Sequence, residues 1–188
     1  MEEMNFFDRF FGHLKTINRH RRLVKTMCYK CGMYSQGFKH DLSKYSPSEF
    51  WPSVKYFQGY RSPISYEKEI KGYSECWLHH KSKNKHHWEY WTDRVKYQLI
   101  SYQMPFNYML ESVLDRIAAS KVYKKDEYDI SSPITFFNHS YEQYVMNNET
   151  SRQIKILLQY LKDNGENKTL CYIKELYKKW KNDNTFTI

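Results

Sequence analysis

The chain has 188 residues and a mass of 23.1 kDa, the size of one ordinary domain with its own core. With 18% aromatic residues it is no disordered tail, although a mean hydropathy of -0.86 sets a very polar surface around the core. A net charge of +9 favours anionic partners without choosing among nucleotides, nucleic acid and anionic membrane. No apolar run is long enough to cross a membrane, and the opening MEEMNFFDRF is acidic rather than signal-like, so the expected location is cytoplasmic.

Only six Gly and five Pro punctuate the sequence, and the patterns between them are helical. The expectation is an all-α, single-domain bundle of about seven to eight helices over residues 1–188. Phe7, Phe10, Leu14, Ile17, Val24 and Cys28 recur at three- and four-residue steps, predicting a helix from Phe6 to Cys31 that Gly32 stops. A short helix follows over Tyr34 to Asp41. Ser46-Pro47-Ser48-Glu49 has the cap, the Pro and the Glu that open a helix presenting Phe50, Val54 and Phe57, and Gly59 ends it.

A fourth helix after Ser62-Pro63 places Ile70, Tyr73, Trp77 and His80 on one stripe, then gives way to a basic loop over Lys81 to Lys85. Residues 92 to 104 fit neither period. After Pro105 a long helix reaches about Lys125, and Ser131-Ser132-Pro133, Thr150 and Gly165 punctuate three further helices over about 131–182. In these, Ile154, Leu157, Leu158 and Leu161 share one face, for the core or for a homo-oligomer contact. Four Cys without the density of a disulfide scaffold read as reduced thiols, with Cys28 and Cys31 as small buried hydrophobes rather than half of a zinc site.

His79, His80, His86 and His87 fall within nine residues, and His40 is followed directly by Asp41. Imidazole with carboxylate suits a borderline divalent ion such as Mn, Fe, Co, Ni or Zn, and more than four ligands favours two ions over one structural zinc. If the first two helices are antiparallel about Gly32, His20 is level with His40, whereas His13 is two turns too far. Asp115 lies in an apolar stretch with Glu111 one turn earlier on the same face, and a buried Asp needs a cation. By the helical count His80 continues the Tyr73/Trp77 stripe while His79 points about 100° away.

His40-Asp41-Leu42-Ser43-Lys44 resembles the HD-x-x-K signature of the HD superfamily, helical metal-dependent phosphohydrolases whose ligands run His, His-Asp, Asp. Residues His80-Lys81-Ser82-Lys83-Asn84-Lys85-His86-His87-Trp88-Glu89-Tyr90-Trp91 are similar to the H-x-x-x-N-x-H-H-P-E-[HY]-[WY] block of small HD-like bacterial and phage proteins, with Trp88 in place of Pro. Glu111-Ser112-Val113-Leu114-Asp115 matches their E-M-x-x-D segment, with Ser112 in place of Met. The resemblance covers about residues 10 to 123 and leaves the last third unassigned.

The resemblance implies that His20, His40, Asp41 and Asp115 hold one ion, and that His80 and His86 hold a second or face the substrate, with His79 and His87 as neighbours. It implies hydrolysis of a nucleotide or other small phosphoester by a metal-activated water that Asp41 orients. Lys44 would reach a phosphate oxygen, Glu89 and Glu111 are candidates for general acid/base or supporting roles, and Lys81, Lys83 and Lys85 would ring the entrance. Two other readings use the same residues or the same charge: an HD-type di-iron oxygenase, and a non-catalytic binder of nucleic acid. No P-loop, dinucleotide-binding or nucleophile-elbow motif is present.

Overall fold

A computed structural model describes residues 4–140 and 145–188. The fold is all-α. Helix α1 (Phe6–Lys30) starts at Asn5, whose side chain accepts a hydrogen bond from the Asp8 amide at 2.9 Å, and Gly32 turns the chain with a φ of 78°. It buries His13, Ile17, His20, Val24, Met27 and Cys28 along one stripe. Helix α2 (Tyr34–Lys39) packs back on α1 so closely that a Cβ on Gly37 would stand 2.7 Å from Cys28 Cβ. It ends two residues earlier than expected, and His40 is its C-cap.

Asp41 then takes a left-handed backbone, φ 51° and ψ 29°, before a 3-10 turn over Leu42–Tyr45. On a continuous helix two successive side chains would diverge by about 100°. The break lets His40 and Asp41 face the same interior point. Arg21 of α1 secures this corner, donating from Nε to the His40 carbonyl at 2.8 Å and from Nη2 to the Phe38 carbonyl at 3.3 Å.

Helix α3 (Pro47–Lys55) begins at Ser46 as expected, but the capping box does not form: Ser46 makes no side-chain cap bond, and Glu49 turns inward. The single helix expected after Ser62-Pro63 is two helices, α4 (Pro63–Lys71) and α5 (Glu75–Lys83). Gly72 divides them at φ 80°, and Ser74 caps the second by accepting from the Trp77 amide at 3.0 Å. Ile70 and Tyr73 are consequently exposed, while Trp77 is half-buried and His80 is buried. Lys81 and Lys83 belong to α5, and the loop starts only at Asn84.

Residues 92 to 104 contain a hairpin, β1 (Thr92–Val95) antiparallel to β2 (Gln98–Ser101), reversed through Lys96 at φ 57°. Both strands are largely exposed, which is why no period-two pattern marks them. Helix α6 (Phe106–Lys124) runs through the centre of the core, where Met109, Leu110, Val113, Leu114, Ile117 and Ala118 are all fully buried. Helices α7 (Ser132–His139), α8 (Asn148–Asn164) and α9 (Glu166–Asn182) complete the described helices. Leu157, Leu158 and Leu161 of α8 and Ile173 of α9 join the same cluster as α6 and α1, so the C-terminal helices extend one core. Each such side chain contributes roughly 1.5–3 kcal/mol by leaving water.

The four cysteines are free, and Cys28 and Cys31 lie in that core as expected. Burial pushes the Cys31 thiol up to about 12, and its Sγ faces the Leu170 carbonyl at 3.4 Å. Among the described residues no helix is long and apolar enough to cross a membrane.

Candidate metal centre

Five elements converge on one buried point: His20 from α1, His40 and Asp41 from the end of α2, His80 from α5, His86 and His87 from the loop after it, and Asp115 from α6. Their donor atoms fall into two groups, His20/His40/Asp41/Asp115 and Asp41/His80/His86/His87, in each of which all donors lie within 4.8 Å of one another. Asp41 belongs to both. Its Oδ2 lies 3.4 Å from His20 Nε2 and 3.4 Å from His40 Nε2, and its Oδ1 lies 3.4 Å from His80 Nε2 and 3.4 Å from His86 Nε2. Asp115 Oδ1 closes the first group at 2.9 Å from His20 Nε2.

Two buried glutamates hold the imidazoles from behind. Glu111 Oε1 lies 2.9 Å from His40 Nδ1 and 3.2 Å from His86 Nδ1, and its Oε2 accepts from Gln36 Nε2 at 3.0 Å. Glu49 Oε2 lies 2.7 Å from His80 Nδ1 and its Oε1 2.7 Å from His79 Nδ1. A carboxylate on Nδ1 holds a proton there and turns Nε2 towards the centre. Asn84, the C-cap of α5, donates to Ser43 Oγ at 2.8 Å and to the His80 carbonyl at 2.8 Å, pinning the loop that carries His86 and His87.

The electrostatics suit a bound cation. Asp41 Oδ1, His86 Nε2 and His87 Nε2 are buried without a hydrogen-bond partner. A protein rarely leaves such atoms unsatisfied, at about 1–3 kcal/mol each, and here all three face one another. Burial alone would lower His40, but the carboxylates of Asp41, Asp115 and Glu111 outweigh it and raise its pKa to about 10. Burial alone would raise Asp41 and Asp115, yet the surrounding imidazoles, with Lys44 beside Asp41, hold both well below the usual carboxylate range. Glu111 is brought down to about 2 against its burial by His40 and His86. Burial, then the neighbouring His86 and His80, push His87 far below the ordinary imidazole value. The buried His/Asp clusters are thus arrangements that could bind metal ions: oxygen and nitrogen donors around a shared interior point.

A cavity of about 410 Å³ opens onto the centre at His87 and Asp115. Tyr60, Trp77, Tyr123 and Phe136 give it aromatic walls, and Arg61, Arg116 and Lys124 make it cationic. Lys81 and Lys85, expected at the entrance, do not line it: Lys85 Nζ lies 5.7 Å from the centroids of both the Tyr90 and the Tyr108 rings, and Lys81 sits half-buried on α5. Lys44 is at the centre itself, its Nζ 2.6 Å from Asp41 Oδ2, and Asp41, Tyr123 and Asp115 outweigh burial to raise its pKa.

The remaining sequence candidates sort by contact. His79 touches Glu49 rather than a ligand group. His87 joins the second group directly, a placement more central than that of a neighbour. Glu89 sits half-buried on the 3-10 turn Trp88–Trp91 and in neither ligand group. Glu111 has both carboxylate oxygens engaged by His40, His86 and Gln36, which makes it a positioning residue. His13 is buried between Phe50 and Phe57, and burial lowers its pKa to about 4. Glu49, Gln36, Asn84 and Arg21 were not singled out for the site by sequence reasoning. Glu49 looked like a helix cap, and its burial is visible only once α5 packs on α3.

A family model described as "Family of unknown function (DUF5662)" matches residues 9–161. No curated protein and no solved structure matches the chain.

Proposed function

The chain belongs to DUF5662, a family of unknown function, and on that premise we propose from the site alone that it is a metal-dependent phosphohydrolase of HD type acting on a nucleotide or other small phosphoester. The observation that carries this is the division of one carboxylate: Asp41 turns Oδ2 to His20 and His40 and Oδ1 to His80 and His86. That arrangement suits two divalent ions sharing Asp41, one held with His20, His40 and Asp115, the other with His80, His86 and His87.

When bound, such ions supply Lewis acidity towards phosphoryl oxygens and a water acidified towards neutrality. The chain does the rest. Glu49 and Glu111 hold a proton on Nδ1 of His80 and His40 and turn Nε2 inward, where it would bind an ion once any proton on it is displaced. Lys44, Arg61 and Arg116 offer positive charge to a phosphate, and the Trp77, Tyr123 and Phe136 walls exclude bulk water and present faces to an aromatic group. Reduced, mostly buried thiols accord with a reducing compartment, and we place the protein in the cytoplasm.

Elemental analysis of the purified protein beside His40→Ala and Asp115→Ala tests the reading, followed by a screen of phosphomonoesters, nucleotides and cyclic dinucleotides with Mn, Co and Ni. Stoichiometric metal lost in both variants, with metal-dependent phosphate release by the parent, is the expected result. As-purified iron with a visible absorption band and oxygen consumption would move the assignment to a di-iron oxygenase. Full retention of metal in both variants would remove the centre altogether.

A further inference from the structure

We propose that a cationic cleft beside the cavity is a second phosphate site, so that the substrate is a nucleoside bisphosphate with one phosphate on each side of the sugar, only one of which is cleaved. The cleavage rests on the hydrolase reading above. The binding of the second phosphate does not.

The cleft has a volume of about 210 Å³ and shares Tyr60, Arg61 and Tyr123 with the cavity that reaches the metal centre. Lys15, Arg19, Arg61 and Lys125 line it, and no carboxylate does. Four like charges around one small space repel one another, and a bound anion offsets that cost. Lys15 and Arg19 make no hydrogen bond or ion pair among the described residues, so both are available to a ligand. Arg61 is aimed by its own partners: Nε donates to Gln58 Oε1 at 2.6 Å and Nη1 to Glu69 Oε2 at 2.6 Å, which leaves Nη2.

The rim of the cleft also carries a strained backbone position. Lys125 has a φ of 51° and a ψ of -116°, and its Nζ donates at 3.1 Å to the carbonyl of Gly59, itself at φ 81°. A non-glycine residue in such a conformation is strained, and such residues collect at ligand-binding positions. Here the strain holds an ammonium group at the mouth.

The spacing sets the ligand. Thr16 lines the cleft one helical turn before His20, and Tyr123 lines it eight residues after Asp115 on α6. At about 1.5 Å per residue, the two phosphate positions stand roughly 6–12 Å apart, a gap that a sugar spans. The aromatic walls of the intervening cavity offer a face for the attached base.

Calorimetric binding of adenosine bisphosphate, phosphorylated on both sides of the ribose, and of adenosine monophosphate tests the site in EDTA, where no turnover occurs. The intact protein should bind the bisphosphate about tenfold or more tightly than the monophosphate, as expected for charge-assisted hydrogen bonds. The double variant Lys15→Ala/Arg19→Ala should lose that advantage and keep its affinity for the monophosphate. A control, Lys174→Ala/Lys178→Ala, removes two exposed cations of α9 and should change neither. Equal affinities for the two nucleotides in the intact protein, or equal losses in the control, would overturn the proposal. So would a single-stranded oligonucleotide that depends on Lys15 and Arg19 when the bisphosphate does not. If the advantage disappears as described yet no metal supports phosphate release, the second site stands and the hydrolase reading falls.

Discussion

Glu49 and His80 are thirty-one residues apart, and Glu49 Oε2 lies 2.7 Å from His80 Nδ1 with both side chains buried. Glu111 stands to His40 in the same relation, at 2.9 Å. Glu111 also reaches His86 Nδ1 at 3.2 Å and so serves both halves of the centre, whereas Glu49 orients a ligand of one half alone, which can be disturbed separately.

Glu49→Gln should weaken one half without emptying the other. The neutral amide presents an NH₂ or a weaker acceptor to His80 Nδ1, and losing such a partner typically costs 10–100-fold in metal affinity. Titration against a chromophoric chelator should show one weakened ion and one of unchanged affinity. Two ions of unaltered affinity would remove Glu49 from the site.

Metal uptake should release protons. The metal-free protein holds His40 at a pKa of about 10, above the ordinary 6.5, so near pH 7 its imidazole is charged. Its stabilising contribution is full below pH 6.5 and fades as pH rises towards 10, so chelated protein should melt at lower temperature across that range, and less so in His40→Ala. A bound ion must displace that proton, and apparent affinity should rise with pH, about tenfold per unit for one proton. Calorimetry in buffers of different ionisation enthalpy measures the release. A value near zero at neutral pH would contradict the charged His40.

Gly37→Ala should cost both stability and metal. The added Cβ would meet Cys28 Cβ at 2.7 Å and the Lys25 carbonyl oxygen at 3.2 Å, so α2 must lift from α1 at a cost of about 1–3 kcal/mol. His40 caps that helix and would move with it. Urea denaturation and metal content on the same preparation would test the coupling. Normal metal content in a destabilised variant would show that α2 shifts without carrying His40.

Much of the helical layout is legible in the chain because its apolar residues keep a helical period and its Pro, Ser and Gly residues punctuate it. Gly32 and Gly165 mark real helix ends. Gly72 misled the reading, since an isolated Gly within a periodic stripe looks tolerable, and only its left-handed backbone shows that α4 and α5 are separate. His20, His40, Asp41, His80, His86 and Asp115 could be singled out as ligand candidates by chemical type together with the resemblance of their order to the HD ligand set. Glu49 could not, because a Glu three residues after a Ser has a ready local use. The walls of the cavity were equally hidden. Arg61 in the loop before α4, Trp77 on α5 and Arg116 on α6 meet through packing, not by any spacing along the chain.

The left-handed backbone at Asp41 has a consequence for anyone altering that position. Asn is the one standard residue that combines Asp's size and shape with a comparable ease in this conformation. Asp41→Asn therefore removes the formal charge while sparing the corner, whereas Ala would remove the carboxylate and strain the turn together. A branched side chain such as Val would be refused by the main chain before its chemistry was ever tried.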